Sequence, residues 1–319
     1  MSSRLDRLVT VAYIGGCMRS GSTLLDRVLS RVPGFVSVGE VVHLWDRGVR
    51  LNELCGCGVP FLECPFWTRV GSLAFGGWDA LDVDEVIGLQ RSVDRTRNIP
   101  LMLAARGRGA YGRRLARYAN LLSRLYQGIE EASGGSVIVD SSKRASTAFM
   151  LRKVAGVRVL VLHLVRDSHG VAFSLMKKVQ RPEVTSSVAF MPKATPVRSA
   201  LEWLAVNGLF HALRTVGTPT TLVRYESLVT STRDCIERIV TALGERSGPG
   251  QLDFINDGVV ELALDHTVSG NPMRFAVGDV DLRLDDAWLQ NMPRIDRLVT
   301  TALTWPLLVK YGYVARDQG

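Results

Sequence analysis

Residues 9–29 read VTVAYIGGCMRSGSTLLDRVL, and the middle of that stretch is almost a nucleoside-triphosphate loop. Such a loop runs Gly, four residues, then Gly-Lys-Ser/Thr. Here Gly16 and Gly21 keep the spacing, but Ser22 stands where the lysine belongs. The turn lies between an apolar run of β type and a helical pattern, so it offers backbone N–H groups and the positive end of a helix dipole to an anion. Gly21 lets the backbone approach closely, and the hydroxyls of Ser20, Ser22 and Thr23 add donors. The positive charge has moved to Arg19, whose planar guanidinium can grip two oxygens of one anion. Serine and threonine are also common helix N-caps, so on its own the stretch fits an anion site or an ordinary cap.

A second constellation lies in HLVRDSHGVAFSLMKK, residues 163–178. Arg166 falls at the carboxyl end of a buried apolar run, where open α/β sheets bind ligands, and Ser174 follows eight residues later in the next helical pattern. Together they could hold a second phosphate. A structural Arg166–Asp167 pair and a small packing serine would read the same way.

These residues need a scaffold, and the pattern of apolar runs supplies one. Leu8–Ile14, SVIVD (136–140), VRVLVLHLV (157–165) and TTLVRY (220–225) are near-continuous apolar runs, each followed by a helical pattern. Strands of that kind alternating with helices imply an α/β fold with a parallel central sheet covered on both faces. Residues 47–135 break the alternation with a cysteine-containing loop and a basic amphipathic helix near Arg113–Ala132, which reads as a mostly helical insertion. KVQRPEVTSSVAFMPKATP (178–196) holds three prolines and little periodicity, the signature of an acceptor-side loop. Helices are expected over Val197–Val216 and Ile295–Tyr311. The whole, 1–319, reads as a single domain.

Composition narrows the class of protein. At 319 residues and 46% hydrophobic content the chain can bury a substantial core. The net charge of +8, from 39 basic and 31 acidic residues, is spread along the sequence and suits an anionic ligand. It lacks the clustered basic residues and exposed aromatics of a nucleic-acid binder, so no nucleic-acid partner is expected. No window reaches the ~20 apolar residues of a membrane helix, and the opening MSSRLDRLVT lacks the arrangement of a signal peptide. A cytoplasmic protein without membrane insertion is the expectation. The five cysteines, an odd number, agree with reduced thiols.

Taken together, MRSGSTLL and LVRDSHGVAFS resemble the two binding elements of sulfotransferases that use 3′-phosphoadenosine-5′-phosphosulfate (PAPS), in the form found in the bacterial, tyrosylprotein and carbohydrate branches. The resemblance implies a P-loop-like nucleotide-binding fold, PAPS as donor, no metal, and a hydroxylated acceptor. It places Arg19, Ser20, Gly21, Ser22, Thr23 and Leu24 on the phosphosulfate, and Arg166 and Ser174 on the 3′-phosphate. VRYESL (223–228) resembles a strand-and-turn lining the nucleotide site and brings in Tyr225. HTVSGNPMRFAVG (266–278) resembles a C-terminal glycine-rich loop whose basic residue, here Arg274, meets the 3′-phosphate. The resemblance covers residues 10–45 and 136–312; a homo-oligomer is compatible with it.

Sulfuryl transfer to a hydroxyl also needs a base. Glu40, in PGFVSVGEVVHLW, is a Gly-Glu pair at the spacing that supplies the base in the tyrosylprotein and some bacterial branches. Val38, Val41 and Val42 beside it predict a pKa raised by an apolar setting. His43 and His169 are competing candidates, and His169 and Lys143 are further possible site residues. Trp203 and Asn207 share a helical face that could border the nucleotide. Cys55, Cys57 and Cys64 lack paired C-x₂-C spacing, and a metal site would need a fourth ligand from His43, Cys17 or Cys235. Packing of reduced thiols against Phe61, Phe66 and Trp67 is the simpler expectation. The alternative class is a P-loop-like nucleotide-binding protein or kinase, for which Asp140 imitates the Mg²⁺ carboxylate but no lysine stands at Ser22.

Overall fold

The computed structural model describes residues 8–104, 109–177, 180–181, 189–190, 193–245, 248 and 250–314. Each apolar run anticipated above forms a strand: β1 (Val9–Gly16), β3 (Val137–Lys143), β4 (Val157–Val165) and β7 (Thr220–Arg224). FVSVG adds β2 (Phe35–Gly39). The five pair in the order β2-β3-β1-β4-β7, and every pairing is parallel. β1 is buried along its whole length. Alternation sends Val9, Val11 and Tyr13 into one apolar cluster and Ala12 and Ile14 into another on the opposite face, which is why the strand reads as a continuous apolar run.

Helices cover both faces. On one side the chain between residues 47 and 135 contributes α2 (Pro65–Phe75), α3 (Val83–Val93), α4 (Ile99–Ala104) and α5 (Gly109–Ser133), with α6 (Ala145–Leu151) beside them. Trp45, Trp67, Tyr118 and Tyr126 fill the cluster on that side. On the other side α1 (Ser22–Leu29), α9 (Tyr225–Thr230) and α10 (Thr232–Ala242) pack Leu25, Leu228 and Ile236 against the sheet. α7 (Ser168–Met176), α8 (Pro196–Thr215), α11 (Trp288–Asn291) and α12 (Arg294–Lys310) complete the helices. A small antiparallel sheet, β10-β9-β8, joins Gly278–Asp281, Val259–Leu262 and Ile255–Asn256. Most of the 178–196 loop lies outside the described residues; the parts described include β5 (Gln180–Arg181) paired antiparallel with β6 (Ala189–Phe190). Among the described residues no helix is long and apolar enough to cross a membrane.

In this topology α1 carries the chain from β1 to β2 on one side, while β4 lies on the other side of β1. The side on which strands are added therefore switches at β1, and a crevice opens above the carboxyl ends of the strands there.

Candidate active site

A cavity of about 620 Å³ lies at that crevice. Each of the five central strands delivers a side chain to it just beyond its carboxyl end: Arg19 after β1, Glu40 after β2, Lys143 closing β3, Arg166 after β4 and Tyr225 after β7. These residues span 206 positions of the sequence, so only the parallel topology brings them together.

The loop after β1 has the shape of an anion cradle. Arg19 has φ of 66° and Gly21 has φ of 91°, and left-handed residues of this kind turn successive backbone N–H groups toward one side. Gly21 is obligatory, since a Cβ there would lie 2.6 Å from the Tyr225 ring. α1 starts without a side-chain cap and without an acidic residue in its first turn. The plain N-cap that the sequence also allowed is therefore not what Ser20, Ser22 and Thr23 form. Ser22, Thr23 and Leu24 line the cavity. Ser20 does not; it is buried, and its hydroxyl finds no partner among the described residues.

Arg19, Ser174 and Arg166 form one connected group. Arg19 Nε donates to Ser174 Oγ at 2.9 Å, and Arg166 Nη1 donates to the Arg19 carbonyl at 3.0 Å. The Arg166 guanidinium lies 4.6 Å over the Tyr225 ring centroid, a cation–π contact that orients it. Its Nη2 donates to the Asp285 carboxylate at 3.0 Å. Burial lowers the Arg19 pKa from its usual value, and the neighbouring Arg166 charge lowers it further.

Glu40 sits opposite. Its backbone N–H donates to the Val268 carbonyl, and the preceding Gly39, at φ of 71°, is pressed so close to Val268 that a Cβ would lie 2.6 Å from that same carbonyl oxygen. The carboxylate accepts from Lys143 Nζ at 2.5 Å, and His43 Nε2 lies 3.6 Å away. Burial pushes the Glu40 carboxyl up, but Lys143, His43 and Arg47 outweigh it and hold the pKa below its ordinary 4.5. This corrects the expectation of a raised value. Val38, Val41 and Val42 are neighbours in sequence, whereas Lys143 arrives from the next strand and dominates. Burial, followed by Arg47, lowers His43 to about 4, so its imidazole is neutral at pH 7.

Other expected residues lie elsewhere. Arg274 does not line the cavity: its guanidinium donates to the Thr267 and Leu54 carbonyls at 2.7 and 2.6 Å and stacks on Phe275. The basic residue of the glycine-rich loop is thus built into the fold, not turned to a ligand. His169 is likewise structural, with Nδ1 against Asp167 at 2.7 Å, Nε2 against Thr301 at 2.8 Å and Trp288 stacked on its ring. Trp203 and Asn207 are buried outside the cavity, where Trp203 donates to the Arg166 carbonyl and Asn207 meets His163. Asp140 is buried below the site. Its oxygens accept from Ser142 and from Tyr126, the latter at 2.6 Å, and burial pushes its pKa up to about 6.

The structure also adds residues that sequence reasoning passed over. Arg47, in the π-helical segment Leu44–Arg50, lines the cavity and donates to Ser269 Oγ at 2.6 Å. Rare π-helical turns gather at functional sites. Ser269, Gly270 and Asn271 form one wall, and Asp281, Arg283 and Asp285 another. Among the described residues five non-glycine positions have positive φ, and three of them, Arg19, Lys143 and Ser269, line this cavity. Strained backbone held at a ligand-binding crevice is a mark of preorganisation. The cations Arg19, Arg47, Lys143, Arg166 and Arg283 outnumber the carboxylates Glu40, Asp281 and Asp285 by two.

No protein-family model matches the chain, and no curated protein does. Among solved structures the chain is similar to three sulfotransferases. The sulfotransferase domain from the Synechococcus PCC 7002 olefin synthase is 19% identical over 96% of this chain and 97% of that one, with a TM-score of 0.48. The sulfotransferase domain from the curacin biosynthetic pathway is 16% identical over 95% of this chain and 98% of that one, with a TM-score of 0.49. Sulfotransferase STF9 from Mycobacterium avium is 12% identical over 78% of this chain and 67% of that one, with a TM-score of 0.42.

Proposed function

We propose that the protein is a sulfotransferase that moves a sulfuryl group from PAPS to a hydroxyl of a small molecule, lipid or sugar. The observation that carries this reading is the delivery of an anion cradle, two arginines, a lysine and a carboxylate to one cavity by five strand ends. The residues fit such a donor: the left-handed Arg19–Gly21 turn, the uncapped start of α1 and the surplus positive charge all select a multiply anionic ligand.

The donor supplies the sulfuryl group and a nucleoside bisphosphate as leaving group. Arg19 and the N–H groups of residues 21–23 hold the oxygens on which negative charge grows as the group departs. Arg166 and Ser174 hold the remote phosphate, with Tyr225 keeping the guanidinium flat against its face. Arginine stays charged throughout, so it clamps and does not deliver a proton. Lys143 is within reach of both Glu40 and the cavity, and it steadies the oxygens of the moving group.

Glu40 accepts the proton of the acceptor hydroxyl. Its lowered pKa suits a late transfer, because the hydroxyl becomes strongly acidic only as its oxygen bonds to sulfur. The kinase alternative needs a lysine where Ser22 stands and places Asp140 on Mg²⁺ at the cavity. Asp140 has both oxygens engaged by Ser142 and Tyr126 and lines no part of it.

The test is transfer itself. Protein incubated with PAPS and a panel of hydroxylated acceptors is assayed by mass spectrometry for a sulfated product and for release of the bisphosphate. Glu40→Gln is expected to lower turnover by ~10²–10⁴ while bisphosphate binding survives. Equal turnover in the wild type and Glu40→Gln would remove Glu40 from the reaction.

A further inference from the structure

Far from the anion cradle in sequence, the chain gathers Cys55, Cys57, Cys64 and His266, with their ligand-type atoms all within 4.8 Å of one another. Cys57 Sγ lies 3.7 Å from Cys64 Sγ, and His266 Nδ1 lies 3.2 Å from Cys64 Sγ and 3.9 Å from Cys55 Sγ. A tetrahedral zinc with Zn–S bonds of ~2.3 Å places neighbouring sulfurs ~3.8 Å apart. A disulfide would require ~2.05 Å. The spacing is that of ligands around an ion, not of bonded sulfurs. We propose that these four residues form a structural zinc site.

Local backbone is shaped for it. Gly58, at φ of 87°, closes a tight turn in which its N–H donates to the Cys55 carbonyl, aiming the Cys55 and Cys57 side chains to one side. Phe66 stacks on the His266 ring at 4.8 Å, and Trp67 Nε1 donates to the His266 carbonyl at 2.8 Å, so the imidazole is fixed as well as near. Three thiolates and one imidazole, soft and tetrahedral, select zinc over hard cations. With four protein ligands the site has no open position, so its role is structural. The sequence reading sought the fourth ligand among His43, Cys17 and Cys235. The structure supplies His266, which lies 202 residues from Cys64.

The ion would tie the loop that opens the insertion to the segment that backs the cavity. Two residues after His266, the Val268 carbonyl accepts the Glu40 N–H at 2.8 Å and the Val268 N–H donates to Val38 at 2.9 Å. Ser269, next in line, receives Arg47. Zinc thus fixes the wall against which Glu40 is held, without touching the reacting groups.

The decisive measurement is the metal content of the intact protein, purified without chelator and assayed by plasma mass spectrometry. One zinc per chain is expected, released in full when a mercurial reagent blocks the thiols. Cobalt exchanged into the protein should show the intense d–d bands of a tetrahedral thiolate site. Cys57→Ser, at the more exposed ligand, should fall to background zinc, while Cys235→Ser, outside the cluster, keeps it. If Cys57→Ser does not fold, the wild-type stoichiometry and the cobalt spectrum decide alone. Substoichiometric zinc with five titratable thiols, or a Cys57–Cys64 disulfide found by peptide mapping, would overturn the proposal.

Discussion

Two pairs of arginines show how one residue type serves two purposes in this molecule. Arg27 and Arg274 are 0% and 1% exposed. Arg27 donates to the Ala263 and Ala276 carbonyls, both at 2.6 Å, and to that of Arg274, and its Nε faces Asp265 at 3.0 Å. Arg274 donates to Thr267 and Leu54. Their Nη groups donate to carbonyls of the chain, and the result is a glycine-rich segment stitched to α1. Arg19 and Arg166 are held differently: by a serine hydroxyl, the carbonyls of Arg19 and Asp285, and the carboxylate of Asp285, a side chain 37% exposed on the cavity rim. The first pair lies off the cavity, whereas Arg19 and Arg166 line it and share side-chain partners, Ser174 and Asp285, that a ligand can replace.

The contrast can be broken by mutation, beginning with the largest effect. Arg27→Met leaves Asp265 without its buried partner and three carbonyls without a donor. Unfolding in urea should reveal a loss of ~3–5 kcal/mol. A variant as stable as the wild type would mean that the stitching contributes nothing.

Arg166→Ala should do the reverse, leaving the urea midpoint in place while affinity for 3′-phosphoadenosine-5′-phosphate drops by ~1.5–3 kcal/mol, the worth of hydrogen bonds to a charged group. That is roughly ten- to a hundred-and-fifty-fold in Kd. Unfolding without loss of affinity would place Arg166 with Arg27.

The pH profile separates Glu40 from a histidine base of ordinary pKa. Because the Glu40 carboxyl is held below 4.5 in the folded protein, it stays ionised through mild acid. The stability it contributes is present above 4.5 and lost as pH falls through the lower folded value. The acid limb of kcat/KM should therefore lie below 4.5. A limb near 6.5, the ordinary histidine value, would point instead to a histidine with an unshifted pKa.

The smallest effect tests the rim. Asp285→Asn removes the carboxylate that competes for Arg166. Bisphosphate affinity should rise by at most ~1 kcal/mol, since the pair is partly exposed. A fall in affinity would show Asp285 to be a needed orienter rather than a stand-in anion.

What the sequence disclosed follows from how local the causes are. β1, its glycine loop and α1 are contiguous, and a strand buried on both faces announces itself as VTVAYIGG. Arg166 could be placed from the end of one apolar run. Arg274 could not be told from Arg166, because what separates them is the carbonyls of Thr267 and Leu54, the latter 220 residues away. The direction of the Glu40 pKa failed for the same reason, its controlling charge lying 103 residues on at Lys143. His266 and Arg47 drew no notice, one because its cysteine partners come from the insertion, the other because a π-helical turn leaves no simple periodicity.

The proposed function requires a cavity that takes a nucleoside bisphosphate and not a Mg²⁺–triphosphate. Calorimetric titration of the wild type with 3′-phosphoadenosine-5′-phosphate, beside ATP with Mg²⁺ and an Arg19→Ala control, tests it most directly. Saturable one-to-one binding of the bisphosphate, weak binding of ATP and loss in the variant are expected. Tight ATP binding with no heat from the bisphosphate would contradict it and return the loop after β1 to the NTPases.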